Sequence, residues 1–561
     1  MSKTPSARRG RFDQILRSVK SQVFDESQEP ENLTTESAQS VARRRLSSWA
    51  FTRTQSTVQR DEPVQSATEV ENPPTTLVTE EESTKVVIES DKDTDPVEAK
   101  ERTQSWSLWS RPSRQIDQQT DAILSEPVAQ NVSELPKPKK QKTEPSTDRK
   151  SQVVPSFESL PRVSPRTYAS SALNTLKSVT GYGASPVDHL VATRSPAKFK
   201  RVLIIGVHGF FPTKMIRPLI GEPTGTSARF AQAAENAILS WAQEKNINIS
   251  TQKIALEKEG KIFDRVDFFF EVMQKWHDEL ANADFIYVCA HSQGTPVAMM
   301  LLSRLLEHGL IADNKKISVL GMAGINSGPF YGMDQSLFVR AYSSIENQSL
   351  LELFQFQNFE SLQSRKYLES VRNLVAHGVK ITFVGSVNDQ LVPLYSAVAC
   401  HLSHPNIYKA VYIDGNSNTP DFVTRILKLS CLLQNLGHRD HGVVAEMSYA
   451  LAGPLTGGGH SRIYDSPDVY KLALDFALCT SDTGYCASQP VQFHQVDVSK
   501  VGSNPFTLPW CTRGLFFDVK KRLPHGTDEI DMVFKEFDDW DPESKVLKDV
   551  KYRLNGIKDK L

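Results

Sequence analysis

A serine flanked by small residues is the part of this chain best suited to covalent chemistry. Ser292 follows the apolar run 285–291, in the sequence Ala-His-Ser-Gln-Gly. The pattern predicts a strand, a sharp turn and a helix start, with the hydroxyl exposed on a strained turn and the Gln293 amide aimed at a developing oxyanion. Ala290 and Gly294 must be small because strand and helix nearly touch there. The chemistry indicated is nucleophilic attack on a carbonyl.

Two carboxylates that follow predicted strands are candidates for the acid that a serine nucleophile needs. A serine attacks only when a histidine accepts its proton and an acid orients that histidine. Asp389 stands in the loop after the apolar run 379–385 and is followed by Val-Pro. Because parallel strands end at one rim of a sheet, we expect Asp389 on the same rim as Ser292. Asp414, after the next predicted strand, is the fallback acid.

Three histidines beyond Asp389 are candidates for the base. His460 follows three glycines and precedes a helical pattern at 468–478, and glycines allow a loop to bring a side chain into a site. His438 and His441, in Gly-His-Arg-Asp-His-Gly, are the competitors. Their spacing suggests a metal site at first, but it matches no strong zinc pattern, and a polar loop is the preferred interpretation. We therefore predict neither a metal nor a cofactor.

A His-Gly turn after the first predicted strand could supply a second oxyanion donor. The sequence Val-His-Gly-Phe-Phe-Pro of residues 207–212 resembles the oxyanion-hole loop of lipases and esterases, in which an amide just after His-Gly joins the amide after the nucleophile. The resemblance implies that Phe210 donates beside Gln293. One such donor stabilises the transition state by about 3 kcal/mol.

The elements expected to position these residues are strands that alternate with helical patterns. This alternation is typical of an α/β fold with a mostly parallel sheet covered by helices on both faces. Six parallel strands are predicted, at 202–207, 251–256, 285–291, 317–322, 379–385 and 409–414. An apolar insert at about 326–375 lies where a cap over the nucleophile is expected, although its apolar residues could equally be core.

Composition divides the 561 residues into three regions. Residues 1–195 are rich in Ser, Thr, Gln, Pro, Glu and Lys and contain hardly any sustained apolar run, so they cannot bury enough surface to fold and are predicted to be disordered. The α/β domain is predicted at 196–486. Residues 487–561 are predicted to form an accessory region.

Charge and cysteine usage exclude several classes of protein. The net charge of −1 argues against a nucleic-acid binder. Six cysteines without C-x-x-C spacing argue against a disulfide framework and favour a reducing compartment. No apolar run reaches the roughly 18 residues of a transmembrane helix, and no signal peptide is recognisable. The expected location is cytoplasmic.

Two segments of the tail suggest contacts beyond the α/β domain. Residues 8–24 place apolar side chains at helical spacing opposite arginines. This suits a helix lying peripherally on a membrane, and it also suits a mitochondrial transit peptide as a lesser alternative. Residues 44–47, Arg-Arg-Leu-Ser, resemble a kinase site, so the tail is a candidate phosphorylation target.

With these motifs the chain resembles the α/β-hydrolase superfamily, and more closely the fungal lipase-like ester hydrolases with a long low-complexity N-terminal extension. The resemblance covers about 199–480 and rests on Val-His-Gly-Phe-Phe-Pro, Ala-His-Ser-Gln-Gly-Thr-Pro, Asn-Asp-Gln-Leu-Val-Pro and Gly-Gly-Gly-His-Ser-Arg-Ile-Tyr. It implies a triad in the order Ser292, Asp389, His460, because the family places its base just before the last helix on the sheet. Ala290 departs from the usual glycine.

The predicted activity is hydrolysis of a carboxylic ester through an acyl-enzyme. The apolar insert favours a lipid-like acyl ester as substrate. A thioesterase or a peptidase would use the same residues. A hydrolase-fold scaffold that binds lipid or protein without catalysis is the alternative from another class, and a broken triad would be its mark.

Overall fold

The computed structural model describes residues 149–162, 189–193, 195–210, 226–333, 347–453, 458–481, 489–504, 506–542 and 545–558. The predicted tail up to residue 148, with the amphipathic segment 8–24 and the candidate phosphorylation segment 44–47, lies outside these residues. No helix within the described ranges is both long and apolar enough to cross a membrane.

Nine strands occur in the described residues. In chain order they are β1 (Gln152–Val154), β2 (Arg201–Val207), β3 (Ser250–Leu256), β4 (Phe285–His291), β5 (Lys316–Met322), β6 (Lys380–Ser386), β7 (Leu402–Ser403), β8 (Ile407–Ile413) and β9 (Gln492–Phe493). Six of them, β2 to β6 and β8, coincide closely with the six predicted strands.

The helices of the described residues follow the strands along the chain. The first seven are α1 (Ser227–Glu244), α2 (Ile262–Gln274), α3 (His277–Asn282), α4 (Gly294–Glu307), α5 (Asn347–Gln355), α6 (Leu362–Ala376) and α7 (Leu394–Ala397). The others are α8 (Asp421–Asn435), α9 (Val443–Leu451), α10 (Gly459–Arg462), α11 (Pro467–Leu478), α12 (Thr507–Arg522), α13 (Gly526–Asp539) and α14 (Lys545–Lys558).

The main sheet has seven strands in the order β1-β8-β6-β5-β4-β2-β3. Its strands run parallel, except that β1 pairs antiparallel with β8 at one edge. The strand β4 lies between β2 and β5, and all seven of its residues are buried. The predicted fold class is confirmed, and the predicted nucleophile follows an interior strand.

Side chains of successive strand residues enter two separate cores. Along β4, Phe285, Tyr287 and Cys289 belong to one core, whereas Ile286 and Val288 belong to the other. This alternation follows from the two-residue repeat of a strand. Helices α1, α8, α9, α11, α12 and α13 close the first core, and α2, α4 and α6 close the second. Both faces are therefore covered, as a parallel sheet requires.

Order begins before the predicted domain boundary at 196. Residues Gln152–Val154 form β1, with Val153 opposite Tyr412 of β8. Ala192 also bridges to Thr480. The prediction placed β1 and Ala192 in the tail because a three-residue strand and a single bridge are too short to give a readable sequence pattern. The strand β1 depends on its pairing with β8, which lies far away in sequence.

The apolar insert at 326–375 contains a helix that belongs to the sheet layer. Helix α6 connects β5 to β6, and its residues Tyr367, Val371 and Leu374 are fully buried in the second core. It is a crossover helix, which corrects the predicted extent of the cap. Residues 334–346 of the insert lie outside the described ranges.

The C-terminal helices pack on the α/β domain, which differs from the predicted boundary at 486. In α12, Leu515 and Val519 have no exposed surface and join the first core, as does Ile530 of α13. Arg425 of α8 also forms ion pairs with Glu529 and Glu536 of α13. The part of 487–561 that the structure describes therefore shares a core with the sheet.

Candidate active site

Ser292 stands at the turn between β4 and α4 in a strained backbone conformation. Its φ of 55° lies in the left-handed region, which is uncommon for a residue other than glycine. Its amide donates to the carbonyl of Met322 at the end of β5 (2.9 Å). The neighbouring strand therefore holds the turn in the conformation expected of a nucleophile elbow.

Two glycines let the His-Gly turn approach this elbow. A Cβ atom on Gly294 would stand 2.4 Å from the carbonyl oxygen of His208. A Cβ atom on Gly209 would stand 2.9 Å from the Cβ of Ser292. Larger residues at either position would separate the two segments. The turn after β2 is thus in direct contact with Ser292, as the oxyanion interpretation requires.

His460 and Asp389 form a buried pair. The Nδ1 atom of His460 lies 2.7 Å from Oδ2 of Asp389, and the two side chains are only 8% and 1% exposed. The other carboxylate oxygen, Oδ1, accepts from the amides of Leu391 (2.8 Å) and Val392 (2.9 Å). These bonds fix the carboxylate, so that it can hold the imidazole in one orientation.

Two further bonds position the backbone of His460. Its amide donates to the side-chain oxygen of Gln390, the residue after Asp389 (2.9 Å). Its carbonyl accepts from Nε2 of His291, the residue before Ser292 (2.8 Å). The rings of His291 and His460 lie 4.5 Å apart. His460 is thereby held between the loop after β6 and the end of β4.

His291 remains neutral in this arrangement. Burial, and then the nearby His460, lower the pKa of His291 well below its usual value. Since its Nε2 donates to the His460 carbonyl, the remaining ring nitrogen, Nδ1, carries no proton. A neutral ring adds no positive charge beside the base.

Within the described residues, no hydrogen bond joins the hydroxyl of Ser292 to His460. Both side chains are buried. The ring of His291, the residue before Ser292, packs against the ring of His460. Catalytic hydrogen bonds are often long without substrate and shorten in the Michaelis complex. The expected contact between His460 and Asp389 is present, and that between His460 and Ser292 stays a prediction.

His208 orients the peptide that carries the predicted oxyanion donor. Its Nδ1 lies 2.6 Å from the carbonyl oxygen of Gly209, and its Nε2 accepts from the amide of Lys258 (3.0 Å). Burial and the charge of Arg265 lower the pKa of His208 to about 3, so the ring is neutral and Nδ1 is the donor. The Gly209 carbonyl and the Phe210 N–H belong to one planar peptide. Fixing the carbonyl therefore fixes the direction of that N–H.

Arg265 of α2 ties together the two segments that carry the predicted oxyanion donors. The fully buried guanidinium donates to the carbonyl of His208 (2.7 Å) and to the side-chain oxygen of Gln293 (2.7 Å). A third, longer bond reaches the carbonyl of Gly209 (3.4 Å). Burial lowers the pKa of Arg265 to about 9, so it is still cationic at neutral pH. Its positive charge lies beside the Gly209 carbonyl, whose peptide carries the Phe210 N–H.

A family comparison agrees with this geometry. The model of the YMC0/YMC35 alpha/beta hydrolase domain matches residues 154–518, which is more than half of the chain. The chain belongs to this family. The matched range begins within β1 and ends within α12, so it extends beyond the predicted domain limits of 196 and 486 on both sides.

Solved structures that match part of this chain include a phospholipase and a carboxyl esterase. Phospholipase PlaB from Legionella pneumophila, in complex with thio-NAD, is 15% identical, with a TM-score of 0.24 over 35% of this chain and 43% of its own. The metagenomic carboxyl esterase MGS0156 is 12% identical, with a TM-score of 0.27 over 60% and 96%. Est1E from Butyrivibrio proteoclasticus, with ferulic acid bound, is 17% identical, with a TM-score of 0.23 over 42% and 90%.

These identities and scores are low, so the matches carry no argument about the fold or the activity of this chain. The chain spans less than half the length of the phospholipase. No curated protein matches the chain.

The alternative acid and bases lie in other environments. Asp414 accepts from Arg462, two residues after His460 (2.9 Å), and caps the short turn at Asn416 (3.0 Å). It supports the His460 loop without bonding to its imidazole. His441 bonds to Asp518 of α12 at 2.7 Å. His438 lies in the same α8–α9 loop, where its amide donates to the Leu433 carbonyl (2.8 Å).

Sequence reasoning missed His291 and Arg265. A signal for Arg265 exists, because it occupies an apolar-stripe position of α2 between Ile262 and Phe269, where the buried neighbours are hydrophobic. A lone arginine there requires buried acceptors. The partners themselves come from segments distant in sequence and could not be read from the pattern.

Proposed function

We propose that this chain is a serine hydrolase that cleaves carboxylic esters through an acyl-enzyme. In this proposal Ser292 is the nucleophile, His460 the general base and Asp389 the acid that orients it. The observation that carries the proposal is the buried 2.7 Å bond between His460 and Asp389. It lies beside a serine with a left-handed backbone at the end of an interior strand.

The protonation of His460 suits this role. Since Nδ1 donates to Asp389, Nε2 is the nitrogen that accepts the hydroxyl proton of Ser292. The Oγ–carbon bond then forms, and the carbonyl electrons move onto the oxygen. When the intermediate collapses, the ester C–O bond breaks and the leaving alcohol takes the proton from Nε2. Water then repeats the sequence on the acyl-enzyme and restores the serine.

The amides of Phe210 and Gln293 are the proposed oxyanion donors. The support for this assignment is the bonding of Arg265 and His208 to the two segments that carry them. The cation beside the Gly209 carbonyl strengthens the dipole of the peptide that carries the Phe210 N–H, and loss of one oxyanion donor costs about 3 kcal/mol of transition-state stabilisation.

A lipid-like acyl group is the proposed substrate class. Buried Phe330 of the apolar insert packs on Tyr449, with their ring centroids 5.4 Å apart. Its amide donates to the carbonyl of Leu391 (3.4 Å), two residues after Asp389. Phe330 therefore lies next to the acid loop, and we propose that it and Tyr449 contact the acyl chain.

A fluorophosphonate probe tests the proposal, because it labels only an activated serine. Wild type should label at one site. Ser292→Ala and His460→Ala should not label, whereas the matched control His441→Ala should label at the wild-type rate. Failure of folded wild type to label would remove the support for catalysis, and normal labelling of His460→Ala would show that another base acts.

The non-catalytic scaffold is the second candidate. The observation that favours it is that, within the described residues, Ser292 and His460 share no hydrogen bond. Hydrolysis of matched chromogenic ester, thioester and anilide substrates separates the candidates. The ester should be cleaved fastest; faster thioester or anilide cleavage would change the substrate class, and no cleavage of any would favour the scaffold.

A further inference from the structure

Helix α12 presents a line of aromatic side chains to solvent. Phe506, at its N-terminal end, is 63% exposed, Trp510 is 68% exposed and Phe517 is 61% exposed. They follow each other at intervals of four and seven residues, which places them on one face of a helix with 3.6 residues per turn. Single exposed aromatics are ordinary, but three in one line mark an interaction surface.

The opposite face of α12 fixes this orientation. Leu515, Phe516 and Val519 are at most 2% exposed and belong to the core that covers the sheet. Rotating the helix to hide the aromatic line would expose these three side chains. The line is therefore a fixed outward feature of the fold.

Basic side chains accompany the aromatic line. The guanidinium of Arg513 lies 5.7 Å from the ring centroid of Trp510, and Nζ of Lys521 lies 5.8 Å from that of Phe517. Both cations occupy the same helix face as the rings. The one acid of α12, Asp518, lies away from this face, and its carboxylate is bonded to Arg522 (2.8 Å) and His441 (2.7 Å).

We propose that this aromatic and cationic face of α12 docks on a membrane surface that contains anionic lipids. Phe and Trp rings are stable at the boundary between head groups and acyl chains. Cations beside the rings attract the phosphates and carboxylates of the lipid heads. The charge of the face therefore complements the surface that its rings would enter.

A second copy of the chain fits this face less well. A two-fold axis would pair the same patch with itself, and Arg513 lies midway between Trp510 and Phe517. The two copies would bring like charges together at the centre of the contact. An anionic lipid surface has no such conflict.

Vesicle flotation of the full-length protein tests the proposal. The vesicles are phosphatidylcholine alone, or phosphatidylcholine with about one third phosphatidylserine, whose negative surface attracts cations. Wild type should float with the anionic vesicles and lose binding at high salt. W510S/F517S should bind at least about 10-fold more weakly, and R513Q/K521Q about 25-fold more weakly, since each cation near the surface contributes about 5-fold.

The matched control is Leu362→Ser, which removes a 54% exposed apolar side chain from α6. It should bind vesicles as wild type does. The altered side chains of α12 are exposed, so unchanged thermal unfolding should show that these variants fold. Cleavage of a water-soluble ester should also be unchanged, which separates this proposal from the catalytic one.

Three outcomes would overturn the proposal. One is that W510S/F517S floats as well as wild type, in which case another segment binds the lipid. Another is that wild type binds neither vesicle. The third is that sedimentation shows self-association that W510S/F517S abolishes, without vesicle binding, because the occupant of the face is then a second copy.

Discussion

Two histidines of this chain each bond to a carboxylate at 2.7 Å, and their surroundings differ in almost every other respect. The pair of His460 and Asp389 is nearly fully buried, at 8% and 1% exposure. The pair of His441 and Asp518 is 36% and 13% exposed. A histidine bonded to an acid is therefore not sufficient evidence for a catalytic base.

The hydrogen bonds around the two pairs show how a histidine must be held to act as a catalytic base. His460 is bonded through its backbone to the residue before Ser292, and the second oxygen of Asp389 is occupied by two amides. Near His441 the acid is shared with Arg522. Burial alone would raise the pKa of Asp518, but the hydrogen bonds from Arg522 and His441 lower it below its usual value. That acid belongs to a surface ion-pair cluster.

Replacing the histidine of each pair should give the largest difference in kcat between the two pairs. We expect His460→Ala to lower kcat for a soluble ester by about 10⁴- to 10⁶-fold, because the serine loses its proton acceptor. His441→Ala should remain within about two-fold of wild type and lower the unfolding free energy by no more than about 1 kcal/mol. Steady-state kinetics and denaturant unfolding measure both. A large loss of kcat in His441→Ala alone would reverse the assignment.

Changing each acid tests whether orientation of the base matters. Asp389→Asn should lower kcat by about 10⁴-fold, since an amide cannot hold His460 in the required tautomer. Asp518→Asn preserves shape at the exposed pair and should leave kcat unchanged. Retained activity in Asp389→Asn would point to Asp414, and Asp414→Asn is then the variant to measure.

Arg265 should show a smaller effect that acts through the oxyanion donors. Arg265→Met removes the bridge between residues 208 and 293 and should lower kcat by about 10- to 100-fold, less than loss of a donor itself, with little change in KM. Arg265→Lys keeps the charge but cannot bridge several acceptors. Its kcat should therefore lie between those of wild type and Arg265→Met. A rise in KM with unchanged kcat would show that Arg265 only shapes the binding site.

The smallest effect concerns a buried histidine that belongs to neither pair. Burial, and then the charge of Lys409, lower the pKa of His401 from 6.5 to about 3. In the unfolded chain His401 therefore binds a proton below about pH 6.5, whereas in the folded chain it binds one only below about pH 3. The unfolding free energy should fall as the pH drops through this window, by up to about 1.4 kcal/mol per pH unit from this residue.

Replacing His401 isolates this contribution. His401→Phe preserves the ring contacts with Phe359 and Phe493, and Nδ1 of His401 has no hydrogen-bond partner to lose. Denaturant unfolding at pH 7, 6 and 5 should therefore show a shallower pH dependence in this variant. An unchanged slope would mean that the folded protein takes up a proton at this position.

Local patterns were enough to predict the elbow and most of the sheet. The run 285–291 is apolar throughout because β4 is buried on both faces, and Ser292 ends it abruptly. Asp389 and its Val-Pro neighbours could be read in the same way. Each of these signals lies within a few residues of chain.

What could not be predicted depends on partners that are distant in sequence. Choosing His460 over His441 required the family resemblance, because both stand in polar, glycine-containing loops. The role of Arg265 depends on carbonyls some 56 residues away. The aromatic residues on the outward face of α12 look like core in the sequence, and only the packing of Leu515 and Val519 reveals which side is buried.

The three-residue strand β1 determines where the chain can be shortened without harm. It pairs with residues 411–413 at the edge of β8, which would otherwise present unpaired backbone donors and acceptors. An open strand edge is a template for pairing with another chain. A protein begun at residue 196 would retain Ser292, Asp389 and His460, yet it would tend to aggregate through β8, whereas one begun at residue 149 would keep residues 411–413 paired.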